Sequence, residues 1–382
     1  MIEYRKTNEI CSGGQIFTPQ VMAEFMVKLC LDGNPEKILE PSCGTGIFVR
    51  ELLRIFKDKK GHSIVAVEKD PNLFKKLLQN FGNEKDNVKL FNGDFLELYR
   101  NLGKFDLIIG NPPFVRQETI VSIKNFRYQI NFDLGYQVLN RRSGLHSYFT
   151  AACLSLLNPG GKLAFILPET FLVNSADEKL RDFIFRNYQV EYILKSSGNG
   201  CFSDADVIPI ILILSNKKPH KNVKIAEFSI EEIAYILKTG RDVKTLFDGQ
   251  NSKIFCFNEL KSICRKQLNI VFRDRKYGQL FEKIAKASIT LKDIAEVKRG
   301  FVTGADRWFF VKVIERKKDF YLIESGDGSR WEVESHYVKP VLKNPSSYKK
   351  IRIDVSEIED FCIIIKKLPF LEEKINHYIA YG

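Results

Sequence analysis

Residues 107–114 read LIIGNPPF, and they end an apolar strand in a way that few turns do. After Gly110 come a carboxamide (Asn111), two prolines (Pro112 and Pro113) and a ring (Phe114). Proline donates no backbone hydrogen bond and holds φ near roughly −65°, so the chain leaves its sheet in a stiff, extended turn. The Asn111 side-chain oxygen and the Pro112 carbonyl can both accept hydrogen bonds, and an exocyclic amino group offers two N–H donors. In a nucleobase the lone pair of that nitrogen is delocalised into the ring. Two acceptors held out of the ring plane favour a pyramidal nitrogen whose lone pair can attack. Preorganised acceptors also stabilise the positive charge that develops. Phe114 would stack on the same ring. The bland alternative is a rigid turn that closes a strand.

Three further strand ends precede it. EPSCGTG at 40–46 places an acid (Glu40), Pro41 and Cys43 before two glycines, Gly44 and Gly46. Glycines after a strand let backbone N–H groups approach a ligand closely. Some twenty residues on, IVAVE ends in Glu68, an acid placed to take both hydroxyls of a ribose. NGDF supplies Asp94, an acceptor for an adenine amino group, and Phe95, a ring to pack on the base. Each alone also reads as a tight turn, a surface acid or a solvated bend. Their order and spacing together point to an adenosine-containing cofactor.

The elements that must hold these residues alternate. Helical spacing covers 20–31, 48–56, 71–81 and 146–157, with Thr18 as the expected N-cap of the first helix and Pro19 at its first position. Apolar strands lie at 37–46, 62–70, 88–95, 105–114, 161–168, 190–196 and 207–214. Near-continuous apolar strands separated by helices predict a doubly wound, mostly parallel seven-stranded sheet covered on both faces. Ligands in such sheets sit beyond the carboxyl ends of the strands, so the four odd strand ends should line one crevice. Residues 115–144, polar and aromatic with Arg127, Arg141 and Arg142, read either as a mobile loop over the site or as a helix with a solvated face. Past residue 215 the alternation fades into helical connectors. A segment richer in glycine, aromatics and charge begins near 288. The expected division is therefore 1–287, a catalytic domain with its connector, and 288–382, a smaller second domain.

Bulk composition narrows the class. Apolar residues make up 44% and charged residues 28%, which describes a globular protein. The longest apolar run, VIPIILIL, is far too short to span a bilayer, and the first fifteen residues lack the apolar core of a signal peptide. Eight cysteines without a C-x-x-C pair, and five scattered histidines, show neither a zinc site nor a disulfide frame and fit a reducing cytoplasm. A net charge of +12 fits a polyanionic partner, or equally a lysine-rich proteome.

In motif order the chain resembles S-adenosylmethionine-dependent amino-methyltransferases, and more narrowly the gamma-order DNA adenine-N6 methyltransferases of bacterial restriction–modification systems. The resemblance covers nearly the whole chain. It implies a Rossmann-like methyltransferase domain with S-adenosylmethionine as cofactor, held by Thr18 at the methionine end, the EPSCGTG loop, the ribose acid Glu68, the adenine pocket of Asp94 and Phe95, and Phe149 in GLHSYF. NPPF would be the catalytic motif. Phe202, in CFSDADVIP, would pack on the opposite face of an extruded adenine. Such enzymes rotate the target nucleotide out of the duplex, at a few kcal/mol. Stacking on Phe114 and Phe202 would return roughly 1–3 kcal/mol per base.

The segment from DIAEVKRGFVTGADRWFF resembles the start of an α+β target recognition domain that looks cut short. YVKPVLKNPSSYKK at 337–350 is placed either for phosphate contacts or as a solvated lysine surface. The implied partners are double-stranded DNA and a cognate restriction endonuclease or a subunit supplying the rest of the recognition domain. No membrane partner and no metal are implied. NPPF also serves RNA guanine-N2 and protein glutamine methyltransferases, and a DNA-binding or assembly subunit without activity is the alternative of another class.

Overall fold

The computed structural model describes residues 18–31, 33–57, 61–84, 87–114, 123–197, 208–219, 222–247, 252–255, 272, 284, 287–289, 291–295, 305–343, 353–365 and 372–381. The chain divides into two compact units, Met1–Ala287 and Ser288–Gly382.

In the first unit nine strands form one sheet: β1 (Lys37–Glu40), β2 (Ser63–Glu68), β3 (Val88–Asn92), β4 (Phe105–Gly110), β5 (Leu157–Pro168), β6 (Gln189–Ser196), β7 (Pro209–Ser215), β8 (Val223–Phe228) and β9 (Ser252–Phe255). Their spatial order is β3-β2-β1-β4-β5-β7-β6-β8-β9. The run from β3 to β5 is parallel throughout, whereas β7 lies antiparallel between β5 and β6.

Helices α1 (Gln20–Cys30), α2 (Ile47–Phe56) and α3 (Pro71–Phe81) and, after β8, α8 (Ile230–Thr239) cover one face. The short α4 (Phe95–Leu98), α5 (Ile123–Asp133), α6 (Leu145–Ser155) and α7 (Glu178–Asn187) cover the other. Successive strand side chains point to opposite faces. In β4, Leu107 and Ile109 enter the first layer while Ile108 enters the second, and β7 splits likewise, with Ile211 and Ile213 against Ile210, Leu212 and Leu214. That two-sided burial is why these strands read as unbroken apolar runs.

The expected seven strands are present, but the expectation that strand and helix fade past 215 does not hold. VKIAEF is the parallel neighbour β8 of β6, and β9 pairs antiparallel beyond it. Two charged residues in six hide the strand, and pairing with an already buried neighbour decides it. Helix α8 follows with a full capping box, Ser229 with Glu232, and ends on Gly240 in the left-handed region.

Thr18 does not cap α1. Pro19 occupies the N-cap and no side chain bonds the first turn, because the Thr18 hydroxyl is engaged elsewhere. Of the two readings of 115–144, residues 123–133 are helical, with Phe126 and Ile130 buried and Lys124 and Tyr128 exposed, and Arg141 and Arg142 are exposed. Residues 115–122 lie outside the described residues, as do most of the connector predicted between 258 and 287 and residues 344–350 of the lysine-rich stretch.

The second unit holds an antiparallel sheet in the order β12-β11-β10-β14-β13: β10 (Phe310–Arg316), β11 (Phe320–Glu324), β12 (Arg330–Glu334), β13 (Val338–Pro340) and β14 (Phe361–Ile363). Helix α9 (Glu373–Tyr381) packs on it through Ile375 and Tyr378, so this unit is α+β. Among the described residues, no helix is long and apolar enough to cross a membrane.

Candidate active site at four strand ends

The carboxyl ends of β3, β2, β1 and β4 are neighbours in the sheet, and polar contacts stitch them into one rim. Between β1 and β2, the Gly44 amide donates to Glu68 Oε2 at 2.7 Å and the Cys43 amide to the Val67 carbonyl at 3.0 Å. Between β2 and β3, Asn92 Nδ2 donates to the Glu68 carbonyl at 2.9 Å, and Lys69 Nζ pairs with Asp94 Oδ2 at 2.9 Å. Between β1 and β4, the Ser42 hydroxyl donates to the Asn111 carbonyl at 3.1 Å.

The glycine loop after β1 has the conformation its sequence demands. Gly44 and Gly46 have φ of 53° and 80°, a region that L side chains avoid. A Cβ on Gly46 would also lie 2.5 Å from Phe81 Cε2 and 2.7 Å from Leu77 Cδ2. Glycine here is required both by the turn and by the packing of α3. Gly46 is then the N-cap of α2, and no side chain caps the first turn of that helix.

Glu68 is 6% exposed and both its oxygens are engaged, Oε2 by Gly44 and Oε1 by the Asp70 amide at 2.8 Å. Burial lifts its carboxyl above the usual range, and the two amides partly offset this. Glu40 is 1% exposed. Burial pushes its carboxyl well up, the nearby Glu68 charge adds to this, and the Val49 amide opposes it. Its Oε2 has no hydrogen-bond partner among the described residues. Such an orphaned acceptor at a strand end is unusual in a native protein. Burial likewise raises the Cys43 thiol, so this cysteine is a small buried wall rather than a nucleophile.

Asp94 caps α4, accepting from the Leu96 amide at 2.9 Å, while its second oxygen meets Lys69. Phe95 is buried and packs on Phe149 with ring centroids 5.0 Å apart, so these two predicted residues meet each other in the core.

The NPPF turn closes the rim. Asn111 Nδ2 donates to Thr18 Oγ1 at 3.2 Å, across 93 residues of chain. With the amide nitrogen turned to Thr18, the carboxamide oxygen forms the acceptor end. Thr18 is itself held in place, because α1 is locked to α2: Gln20 Nε2 reaches Glu51 Oε1 at 3.1 Å, and Arg54 bridges Glu51 and Glu24. Pro41 Cδ and Glu40 Cγ lie 3.5 and 3.8 Å from where a Cβ on Gly110 would sit, so β1 and β4 run close at their ends. Pro112 is buried, Pro113 and Phe114 half-buried, and Phe114 meets the His146 ring edge-on.

The rim therefore joins Thr18, Glu40, Pro41, Cys43, Gly44, Gly46, Glu68, Asp94 and Asn111 through Phe114. Phe95 and Phe149 adjoin it as a core pair, and Phe202 lies outside the described residues. Two features went unread in the sequence. Ser42 sits inside the quoted loop, but its bond to Asn111 has no local signature. His146, which meets Phe114, and Asp177, which faces His146, are 31 residues apart and carry no motif.

Parts of this chain are similar to known proteins. The Eco57I restriction-modification methylase family matches residues 25–202. Type II methyltransferase M.BstVI of Geobacillus stearothermophilus is 27% identical over 344 residues, covering 78% of this chain and 60% of that protein. M.BanIII of Aneurinibacillus aneurinilyticus is 25% identical over 352 residues, covering 80% and 59%. The chain thus spans about 60% of the length of these relatives. The methyltransferase subunit of a type I restriction-modification system from Streptococcus thermophilus superposes with a TM-score of 0.53 at 17% identity, over 68% of this chain and 59% of that one. That likeness shows the fold, a Rossmann-like methyltransferase sheet. Residues 25–202 thus match the Eco57I restriction-modification methylase family, and the chain's resemblance to the methyltransferases of restriction–modification systems stands.

Proposed function

We propose that this chain transfers a methyl group from S-adenosylmethionine to the N6 amino group of adenine in double-stranded DNA, on a base rotated out of the helix, within a restriction–modification system. The observation that carries the reading is the Asn111 side chain, oriented by Thr18 on one side while Ser42 holds its backbone on the other.

The residues present fit the cofactor. Gly44 and Gly46 leave the loop open to a close ligand, and Glu68 stands at the β2 end with its carboxylate braced for two ribose hydroxyls. Asp94 would take the adenine amino group. Phe95 and Phe149 would form the apolar wall of that pocket. The orphaned Glu40 oxygen suits a cationic methionine end near Thr18. S-adenosylmethionine supplies a methyl group on a sulfonium, which is already a good leaving group.

The chain's own task is positioning. The Asn111 oxygen and the Pro112 carbonyl would each accept one amino N–H, leaving the nitrogen lone pair out of the ring plane. Phe114 would hold the ring by stacking, with Phe202 on its other face. The prolines and the Ser42 bond remove slack from this geometry. The proton lost from nitrogen after transfer goes to water. Double-stranded DNA is the substrate partner. A restriction endonuclease of the same system is the protein partner.

Labelled S-adenosylmethionine with unmethylated duplex DNA of mixed sequence, followed by mapping of the modified base, tests the reading. N6-methyladenine at a defined sequence is the expected product. Cofactor binding with transfer only to RNA or protein, or with no transfer to any acceptor, would overturn it.

A further inference from the structure

We propose that His146, backed by the buried Asp177, is a positioning residue that fixes the ring of Phe114 as the stacking platform for the target base. The inference rests on the function proposed above. It adds a second set of residues to that function, outside the strand-end rim.

His146 stands at the start of α6 and is 7% exposed. Its ring is perpendicular to Phe114, at 90° with centroids 6.5 Å apart, and nearly so to Phe171, at 81° and 6.1 Å. Edge-to-face contact is the favoured geometry between rings at these separations, and it depends on orientation in a way that aliphatic packing does not. His146 Nε2 faces Asp177 Oδ2 at 3.6 Å, just beyond hydrogen-bond length. Neither atom has another hydrogen-bond partner among the described residues. Asp177 is fully buried, and its other oxygen accepts from the Ser147 hydroxyl at 2.5 Å. Buried polar atoms are rarely left unpaired, so two that face only each other belong to one device.

Gly144 supports the same conclusion independently. Its φ is −72°, which any residue adopts. Yet a Cβ there would lie 2.6 Å from His146 Cε1 and 2.9 Å from Nδ1. The backbone does not call for glycine at 144; the imidazole does. A phenylalanine could fill the volume between Phe114 and Phe171 without burying a carboxylate. A histidine aimed by Asp177 fills it in one orientation.

Steady-state methyl transfer to unmethylated duplex DNA by the full chain, with cofactor affinity and melting temperature measured in parallel, tests this. His146→Phe keeps the ring and loses its anchor; Asp177→Asn keeps the acceptor for Ser147 and loses the charge. The expected result is a fall of about 10-fold in kcat for each, with S-adenosylmethionine affinity within about twofold of the parent, as misplacement near a reacting centre predicts. An unchanged kcat, or a loss matched by weaker cofactor binding or by unfolding, would overturn the proposal.

A second readout needs no turnover. Tryptophan placed at position 114 reports ring freedom in its fluorescence anisotropy, read as the difference from the same protein with phenylalanine there. Anisotropy should drop when His146→Ala is added, and an identical signal with and without His146 refutes the inference. Absence of methyl transfer by the parent chain would defeat the assigned function and leave this readout to decide the ring.

Discussion

The two sides of the strand-end rim are held by different means. On the β1–β3 side, carboxylates are fixed by backbone amides: Glu68 by Gly44 and Asp70, Asp94 by the first turn of α4. On the β4 side a carboxamide and a ring are fixed by side chains that come from far along the chain, Thr18, Ser42 and His146. A backbone frame tolerates many side chains at the supporting positions. A side-chain frame is specific to its members. Under the proposed function, the first would take a cofactor with fixed charge and hydroxyls, and the second would hold a guest while its nitrogen changes shape.

Breaking the β4 side should cost the most rate and spare the cofactor. Asn111→Ala removes one preorganised acceptor and should lower kcat by about 10²–10³-fold, in line with loss of a transition-state donor or acceptor elsewhere. Equilibrium binding of S-adenosylmethionine, read by calorimetry, should stay near the parent value; an active mutant would refute the role given to Asn111. Gly46→Ala attacks the other side through its backbone. A residue with a side chain at a φ of 80°, with its Cβ against Phe81, should destabilise the fold by about 2–4 kcal/mol, as strain and overpacking add. Thermal unfolding measures this.

A milder break on the cofactor side should show the opposite split to Asn111→Ala. Glu68→Ala leaves two amides without their acceptor and should weaken S-adenosylmethionine binding by about 10–100-fold, the worth of hydrogen bonds to a charged group. The kcat at saturating cofactor should change far less.

The smallest effect concerns pH. Burial raises the Glu40 carboxyl well above its ordinary 4.5, so the folded protein holds this proton more tightly than the unfolded chain does. Its contribution to stability is therefore complete below about 4.5 and is lost as pH rises through the folded value. Glu40→Gln should flatten that decline in the cofactor-free protein. Melting temperatures across pH 4–8, compared between parent and variant, read the difference; parallel curves would show that Glu40 does not titrate in the fold.

Much of this was legible because it is local. The glycine loop, the acid at Glu68 and the NPPF turn each write their conformation into consecutive residues, as does the Asp70–Pro71 start of α3. The strands at β1, β2, β4, β5 and β7 announced themselves by burial on both faces. Strand β8 did not, since its exposed Glu227 and half-buried Lys224 break the apolar run, and only its parallel pairing with β6 makes it a strand. Thr18 looked like a helix cap because its local context, Thr-Pro before a helix, is that of one. A partner 93 residues away took its hydroxyl instead.

The order of chemistry along the chain, a glycine loop and three acids before an amide, two prolines and a ring, was set by the amino-acid sequence alone, since residue type and spacing limit what each strand end can donate or accept. Which of those groups touch was decided by the sheet, whose order β3-β2-β1-β4 makes neighbours of ends that the chain keeps tens of residues apart. The same holds for Asn111 with Thr18 and for His146 with Asp177: hydrogen bonds and ring contacts act over a few ångströms in space, and distance along the chain carries no trace of them.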